Sequence, residues 1–255
     1  MIRLQGVEKR YGNFQALYPL DLHVRKGEVF GFLGPNGAGK TTTIRILSGV
    51  LVPSGGEVKI NNIDIVQNPV ESKRHVGYIP DRPYLYDKLT AREFLQFVGD
   101  IYGMDRSKIQ TKGEELLEEN DLLARADELI EAYSHGMKQR LVLSAALLHS
   151  PSVLIVDEPM VGLDPHGAKK IKAQFRNIAE QGRSVFLSTH SLDVAQEVCD
   201  RVGILFRGQL VAMGTVDEIL ALSTDKSGDL ENVFLQITEE QLDTQGMIDH
   251  RKGTL

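Results

Sequence analysis

Val29-Phe30-Gly31-Phe32-Leu33-Gly34-Pro35-Asn36-Gly37-Ala38-Gly39-Lys40-Thr41-Thr42 is the stretch on which the reading of this chain turns. Its opening is an apolar run, and Gly34 to Thr41 then fits G-x-x-x-x-G-K-[ST]. No helix breaker intervenes from Thr42 to Leu47, so strand, glycine loop and helix follow one another as such a loop requires. The glycines let backbone N–H groups turn inward around the β- and γ-phosphates, where a Cβ would clash. Lys40 adds positive charge between those phosphates, and the Thr41 hydroxyl is placed to ligate Mg²⁺. Gly34, Pro35, Asn36, Gly37, Ala38, Gly39, Lys40, Thr41 and Thr42 form the candidate cradle for a nucleoside triphosphate. A glycine-rich turn that binds nothing would need neither the Lys-Thr pair nor the preceding strand.

A phosphate loop needs a carboxylate to hold its metal. Val153-Leu154-Ile155-Val156-Asp157-Glu158-Pro159 offers one at the end of an apolar strand, the edge where open α/β sheets bind ligands. Asp157 reads as the metal-side acid, acting through water, and Glu158 as the general base for the attacking water. Standing alone, the segment is also what a buried strand ending in solvated acids looks like. A third apolar strand ends in Ser188-Thr189-His190, which sets His190 at the same sheet edge to contact the γ-phosphate. A histidine ending a strand is, by itself, more often structural. The other histidines lack ligand spacing, and no zinc site is read from them.

The 255 residues allow one large or two small domains, with an ordinary soluble composition of 42 % apolar and 25 % charged residues. A net charge of −6 argues against non-specific nucleic-acid binding, and no nucleic-acid partner is expected. One cysteine, Cys199, suits a reducing compartment. Met1 to Gln5 leads straight into a strand-like segment rather than a signal peptide. No run approaches the roughly 18 uninterrupted apolar residues of a membrane span, so any spanning falls to another chain.

The first sixty or so residues read as strands, with Leu20, Leu22 and Val24 alternating and a hairpin at Glu57–Asn62. Thr90-x-x-Glu93 is a capping box ahead of Phe94, Phe97, Val98 and Ile101 on one helical face. Residues 106–132 stay helical in flavour, and the acidic run Glu114–Asp121 reads as a solvated helix face. After Pro151 the α/β pattern resumes: a strand at Val153–Val156, a helix at Ala168–Glu180, a strand at Val185–Leu187 and a helix from Ser191. Thr215-x-x-Glu218 caps a short late helix. One composite domain over 1–237 is expected, with a helical lobe inserted at roughly 85–147 and a polar tail at 238–255.

With Tyr133-Ser134-His135-Gly136-Met137-Lys138-Gln139-Arg140 added, the chain resembles the nucleotide-binding subunits of ATP-binding-cassette (ABC) transporters. The octapeptide looks like that family's Leu-Ser-Gly-Gly-Gln signature in divergent form. Ser134 and Gly136 hold the matching positions, while Tyr133, His135 and Met137 depart from it. Ser134 caps a helix whose positive N-terminus, with the Gly136 N–H, can face a γ-phosphate. Val7 to Gly12 looks like the adenine-stacking loop, with Tyr11 as its ring, although Tyr11 alone would read as ordinary packing. Gly162-Leu163-Asp164-Pro165 looks like the D-loop. Val76 to Asp81 aligns with a segment that normally ends in glutamine; Asp81 stands there instead, a shorter and charged oxygen donor still able to meet Mg²⁺. The match extends to about residue 235.

The resemblance implies an α/β fold: a phosphate-loop (RecA-like) core, an N-terminal antiparallel β subdomain and an inserted α-helical subdomain. It implies ATP and Mg²⁺ as cofactors, with Glu158, His190 and Lys40 catalytic and Thr41, Asp81 and Asp157 on the metal. It also implies a second ATPase subunit in a head-to-tail homodimer and a separate transmembrane permease. The chain would then sit in the cytoplasm, peripheral to the cell membrane, with Asp81 and the divergent signature resembling exporters. The alternative is a soluble single-cassette ABC ATPase in an assembly role, of the iron–sulfur kind. A GTPase or small kinase would lack a use for the Ser134 helix, and no Asn-Lys-x-Asp guanine motif is present.

Overall fold

The computed structural model describes residues 1–82, 84–160, 165–222 and 229–238. β1 (Ile2–Tyr11) and β2 (Phe14–Val24) form a hairpin, and β3 (Val29–Leu33) runs through the glycine loop into α1 (Lys40–Leu47). β4 (Gly55–Ile60) and β5 (Ile63–Asp64) form a second hairpin, and α2 (Pro69–Arg74) leads to β6 (Val76–Ile79). The helices α3 (Ala91–Ile101), α4 (Arg106–Glu119) and α5 (His135–Leu147) come next. The chain then returns through β7 (Val153–Asp157), α6 (Pro165–Glu180), β8 (Ser184–Thr189) and α7 (Leu192–Val198). It continues with β9 (Arg201–Phe206), β10 (Gln209–Thr215) and α8 (Val216–Leu220). Residues 230–238 are helical, with Leu230 and Val233 in the core.

Two sheets result. The N-terminal strands make an antiparallel sheet in the order β2-β1-β4-β5, and the second sheet runs β10-β9-β3-β8-β7-β6. In the second, β9, β3, β8, β7 and β6 are parallel and β10 is an antiparallel edge. The expected α/β core with an antiparallel β subdomain and inserted helices is therefore the fold. β9 and β10 and the helix α2 were not anticipated. Asn61 and Asn62, at φ 51° and 65°, turn β4 into β5 as the left-handed pair of a tight hairpin.

Strand parity divides the core. Phe30, Phe32, Ile155 and Phe186 pack with α1 and the antiparallel sheet. Their neighbours Val29, Leu33, Leu154, Val156, Val185 and Leu187 pack with the helices on the opposite face. Burial on both faces explains why β3, β7 and β8 read as unbroken apolar runs rather than alternating ones. Each fully buried Phe or Leu contributes roughly 1.5–3 kcal/mol. At Gly31 β3 passes so close to the end of α7 that a Cβ would stand 2.8 Å from Cys199 Sγ. Cys199 is buried there, and desolvation pushes its thiol pKa up to about 12.

Both expected capping boxes close: Glu93 N–H donates to Thr90 Oγ1 at 3.2 Å and Thr90 N–H to Glu93 Oε2 at 2.8 Å. The Thr215–Glu218 pair repeats the arrangement at 2.7 and 3.1 Å. The buried face of α3 is rotated from the stripe expected of it. Ala91, Phe94, Leu95 and Gly99 turn inward, while Phe97 and Ile101 are 40 % and 67 % exposed. The cause is Gly99, whose bare backbone meets Ile109 of α4; a Cβ there would lie 2.5 Å from that side chain. The acidic run does form the outer side of α4, with Leu116 and Leu117 inward. Within that run Asn120, at the end of α4, is buried instead, and its Nδ2 donates to the Leu116 carbonyl and to Ser144 Oγ. The D-loop residues 162–164 and the tail 239–255 lie outside the described residues.

Candidate active site

The loop between β3 and α1 is shaped by what its glycines touch. A Cβ on Gly34 would fall 2.3 Å from the Leu205 carbonyl oxygen, and one on Gly39 would fall 3.0 Å from that of Ala16. Gly39 also takes φ 110° as the residue entering α1, a backbone that side chains rarely tolerate. The loop is thereby seated on β2 and on the turn after β9, where Gly208 N–H donates to the Ala38 carbonyl at 2.8 Å. Lys40 opens α1 and is 6 % exposed. Its Nζ donates to the carbonyls of Gly34 at 2.5 Å and Pro35 at 3.3 Å. Burial lowers its pKa, against the pull of the Glu158 and Asp157 charges, which favour the cation.

Asp157 follows from the parity of β7. It shares the α1 side of the sheet with Val153 and Ile155 and pairs with Ser188 across to β8, whose hydroxyl donates to its carboxylate. At 5 % exposure, desolvation pushes its pKa above the usual carboxylate range, and the Ser188 hydrogen bond opposes that shift. The chain breaks parity at the next residue. Glu158 sits at φ +50°, a strain of order 1–3 kcal/mol for a non-glycine, with its N–H donating to the Ser188 carbonyl at 3.0 Å. That turn keeps Glu158 beside Asp157 on the phosphate-loop side. Its carboxylate lies 2.9 Å from His190 Nδ1 and accepts from Thr189 Oγ1 at 3.3 Å.

These groups border one cleft of about 580 Å³. Tyr11, Pro35, Asn36, Gly37, Gly39, Lys40, Thr41, Thr42, Asp81, Asp157 and Glu158 all line it. Ala38 is turned into the core and Gly34 lies behind the loop. His190 is mostly exposed and reaches the cleft only through Glu158. Ser134 and Gly136 are elsewhere: Ser134 caps α5, accepting from Met137 N–H at 3.3 Å, and its exposed helix end is not part of this wall. Asp81 is half-exposed, with Arg82 Nε 3.9 Å from its carboxylate.

Phe14, Ala16, Arg45, Tyr78, Pro80 and Arg82 also line the cleft and were missed by the sequence reading. Phe14 was legible, since a two-residue turn after Tyr11 brings it back opposite that ring. Tyr78 was legible too, two residues beyond the inward Val76 on β6. Arg45 carried no signal, because an arginine on α1 reads equally as a solvated face. For a metal the cleft offers oxygen donors alone, Thr41, Asp157 and Asp81, a set suited to a hard cation. No cluster of three or more His, Cys, Asp or Glu side chains able to hold a metal exists among the described residues.

A lysine folded into a glycine loop, a buried aspartate ending the neighbouring strand and a glutamate turned toward both define a phosphate-loop nucleoside triphosphatase. The sequence pattern of the ABC transporter family matches residues 17–161, and the chain belongs to that family. It is 36 % identical over 219 residues to the linearmycin resistance ATP-binding protein LnrL of Bacillus subtilis (strain 168), covering 86 % of this chain and 70 % of that one. Against another curated relative it spans only 42 % of the length. A solved ATP-binding subunit of an ABC transporter superimposes with a TM-score of 0.87 at 31 % identity, over 93 % of this chain and 99 % of that one. The ATP-binding cassette MJ0796, a dimer bound to ADP and Pi, superimposes with a TM-score of 0.76 at 26 % identity, over 84 % and 98 %. The chain is an ATP-binding, ATP-hydrolysing subunit of an ABC transporter. No helix among its described residues is long and apolar enough to cross a membrane.

Proposed function

We propose that two copies of this chain close head to tail over ATP, and that hydrolysis reopens them to drive export through a separate membrane-spanning permease. The observation that carries this is the distance in function between two parts of one chain. Lys40 lies in the cleft, while Ser134 and Gly136 present an exposed helix N-terminus away from it. A helix end of that kind favours an anion, and a second copy supplies one when its phosphate loop holds ATP. The working cassette is residues 1–237, with its helical lobe at about 85–147.

Within the cleft, Tyr11 stacks on the adenine and the loop N–H groups and Lys40 hold the phosphates. Thr41, Asp157 and Asp81 would hold Mg²⁺, which would supply charge neutralisation of the phosphate oxygens when bound. Glu158 takes a proton from the attacking water, and His190, 2.9 Å from its carboxylate, keeps it aimed while contacting the γ-phosphate. Contacts that form only with the γ-phosphate present select the closed dimer by differential affinity.

The exposed aromatic group Tyr84, Tyr86 and Phe97, with ring centroids 5.8 and 5.3 Å apart, faces outward on the helical lobe and suits a cytoplasmic helix of the permease. Export is the direction that the resistance function of LnrL supports. The subunit then sits on the cytoplasmic face of the membrane. Glu158→Gln tests the core of this reading. With ATP and Mg²⁺ it should elute as a dimer of the 28.3 kDa chain and turn over at least about 100-fold more slowly than wild type. A variant that hydrolyses normally and stays monomeric would remove both the base and the dimer.

A further inference from the structure

The tip of the first hairpin carries an aromatic ring that packing does not explain. Phe14 is 67 % exposed, yet it lines the cleft that holds Lys40 and Asp157. Tyr11 and Phe14 are register partners across the β1–β2 turn, so their side chains leave the same face of the hairpin. Ala16, the unpaired residue where the β1–β2 register shifts, also lines the cleft, and its carbonyl is an atom against which Gly39 is seated. Further along β2, Tyr18 N–H donates at 2.9 Å to the carbonyl of Gly208, on the turn after β9, whose own N–H holds the Ala38 carbonyl of the phosphate loop at 2.8 Å. The base of the hairpin tip is therefore held against the phosphate loop.

One face of the Tyr11 ring is already taken. Lys9 Nζ lies 5.4 Å from its centroid and is anchored to the Val52 carbonyl at 2.7 Å. A planar ligand can stack only on the other face.

We propose that Phe14 is the second wall of the base subsite, closing on the nucleobase with Tyr11 and selecting purine over pyrimidine triphosphates by stacking area. The hairpin residues of the cleft are Tyr11, Phe14 and Ala16, which offer no side-chain amide or carboxylate to read a base edge. The slot therefore discriminates by ring size and accepts adenine and guanine alike. Stacking tolerates any base because every base has a π-face, and larger rings gain more from it. The assignment rests on the reading of this cleft as the ATP site.

Calorimetric titration of the full chain with ATP, GTP, UTP and inorganic tripolyphosphate tests it. Phe14→Ala should weaken ATP and GTP about tenfold or more, narrow the gap between ATP and UTP, and leave tripolyphosphate unchanged. Phe14→Tyr should restore purine affinity, and Phe14→Leu should fall between the two. An alanine variant that binds ATP like wild type, or that loses tripolyphosphate in the same proportion, overturns the assignment while leaving the phosphate site standing. Wild type binding neither ATP nor tripolyphosphate would overturn the ATP site and the Phe14 subsite together.

Discussion

At the phosphate loop, Gly34 and Gly39 rest against the carbonyls of Leu205 and Ala16, and Lys40 and Asp157 are almost wholly enclosed. On the helical lobe, by contrast, Tyr84, Phe97 and Ile101 stand well out of the surface on elements whose other side is fully packed. The first region is dictated from within, because each residue answers to a backbone it touches. The second, on the docking role proposed for it, answers partly to the permease. Large apolar side chains held outward in a cluster mark a surface that another molecule covers.

The enclosed region depends most on Lys40. Lys40→Ala removes the one ammonium buried among the loop carbonyls and should reduce ATP turnover by roughly 100- to 1000-fold. A coupled-enzyme ATPase assay that shows normal turnover would mean that this region is ordinary structure. The lobe is tested within a single helix. Leu95→Ala, on the buried face of α3, should cost about 2–5 kcal/mol in denaturant unfolding. Phe97→Ala, two residues on, should stay within about 0.5 kcal/mol and instead reduce co-purification with the permease. Equal losses of stability would return Phe97 to the core and erase the contrast.

His149 marks the seam between the regions. It follows α5, its Nε2–H donates to the Val76 carbonyl of β6 at 3.1 Å, and its ring stacks on Tyr102 with centroids 3.8 Å apart. Burial lowers its pKa from 6.5 to about 4. The fold thus favours the neutral ring, whose contribution is complete above pH 6.5 and is lost as pH falls toward 4. His149→Gln should flatten that part of the melting-temperature profile, and an unchanged acid limb would assign the loss to carboxylates instead. The smallest effect is expected at Asp81→Gln. Removing a carboxylate from the cleft should raise the half-saturating Mg²⁺ concentration several-fold with little change in stability. Identical Mg²⁺ curves would make Asp81 a bystander.

Legibility in the sequence divides along the same line. The loop, Asp157 and Glu158 were readable because spacing, strand parity and the glycine requirement all arise within a short segment. Tyr11 was readable through resemblance alone, and Phe14 was passed over because its role appears only when the hairpin folds it back opposite Tyr11. On α3 the apolar stripe was real but its inward edge was misplaced, since Gly99 and Ile109 meet across two helices and no local period reports that contact. β9 escaped because Val202, Ile204 and Leu205 are divided between the two cores, a division that only the assembled sheet defines.

The packing of Cys199 under β3 has a practical consequence. With its thiol pKa pushed up to about 12 and its sulfur against the Gly31 backbone, the chain's one cysteine is a chemical blank toward ordinary maleimides at neutral pH. Two surface cysteines, one on α5 and one on the hairpin tip, could then carry paired spectroscopic labels in the otherwise native sequence. The subunit comes ready for measuring, in real time, whether its two kinds of surface move relative to each other during turnover.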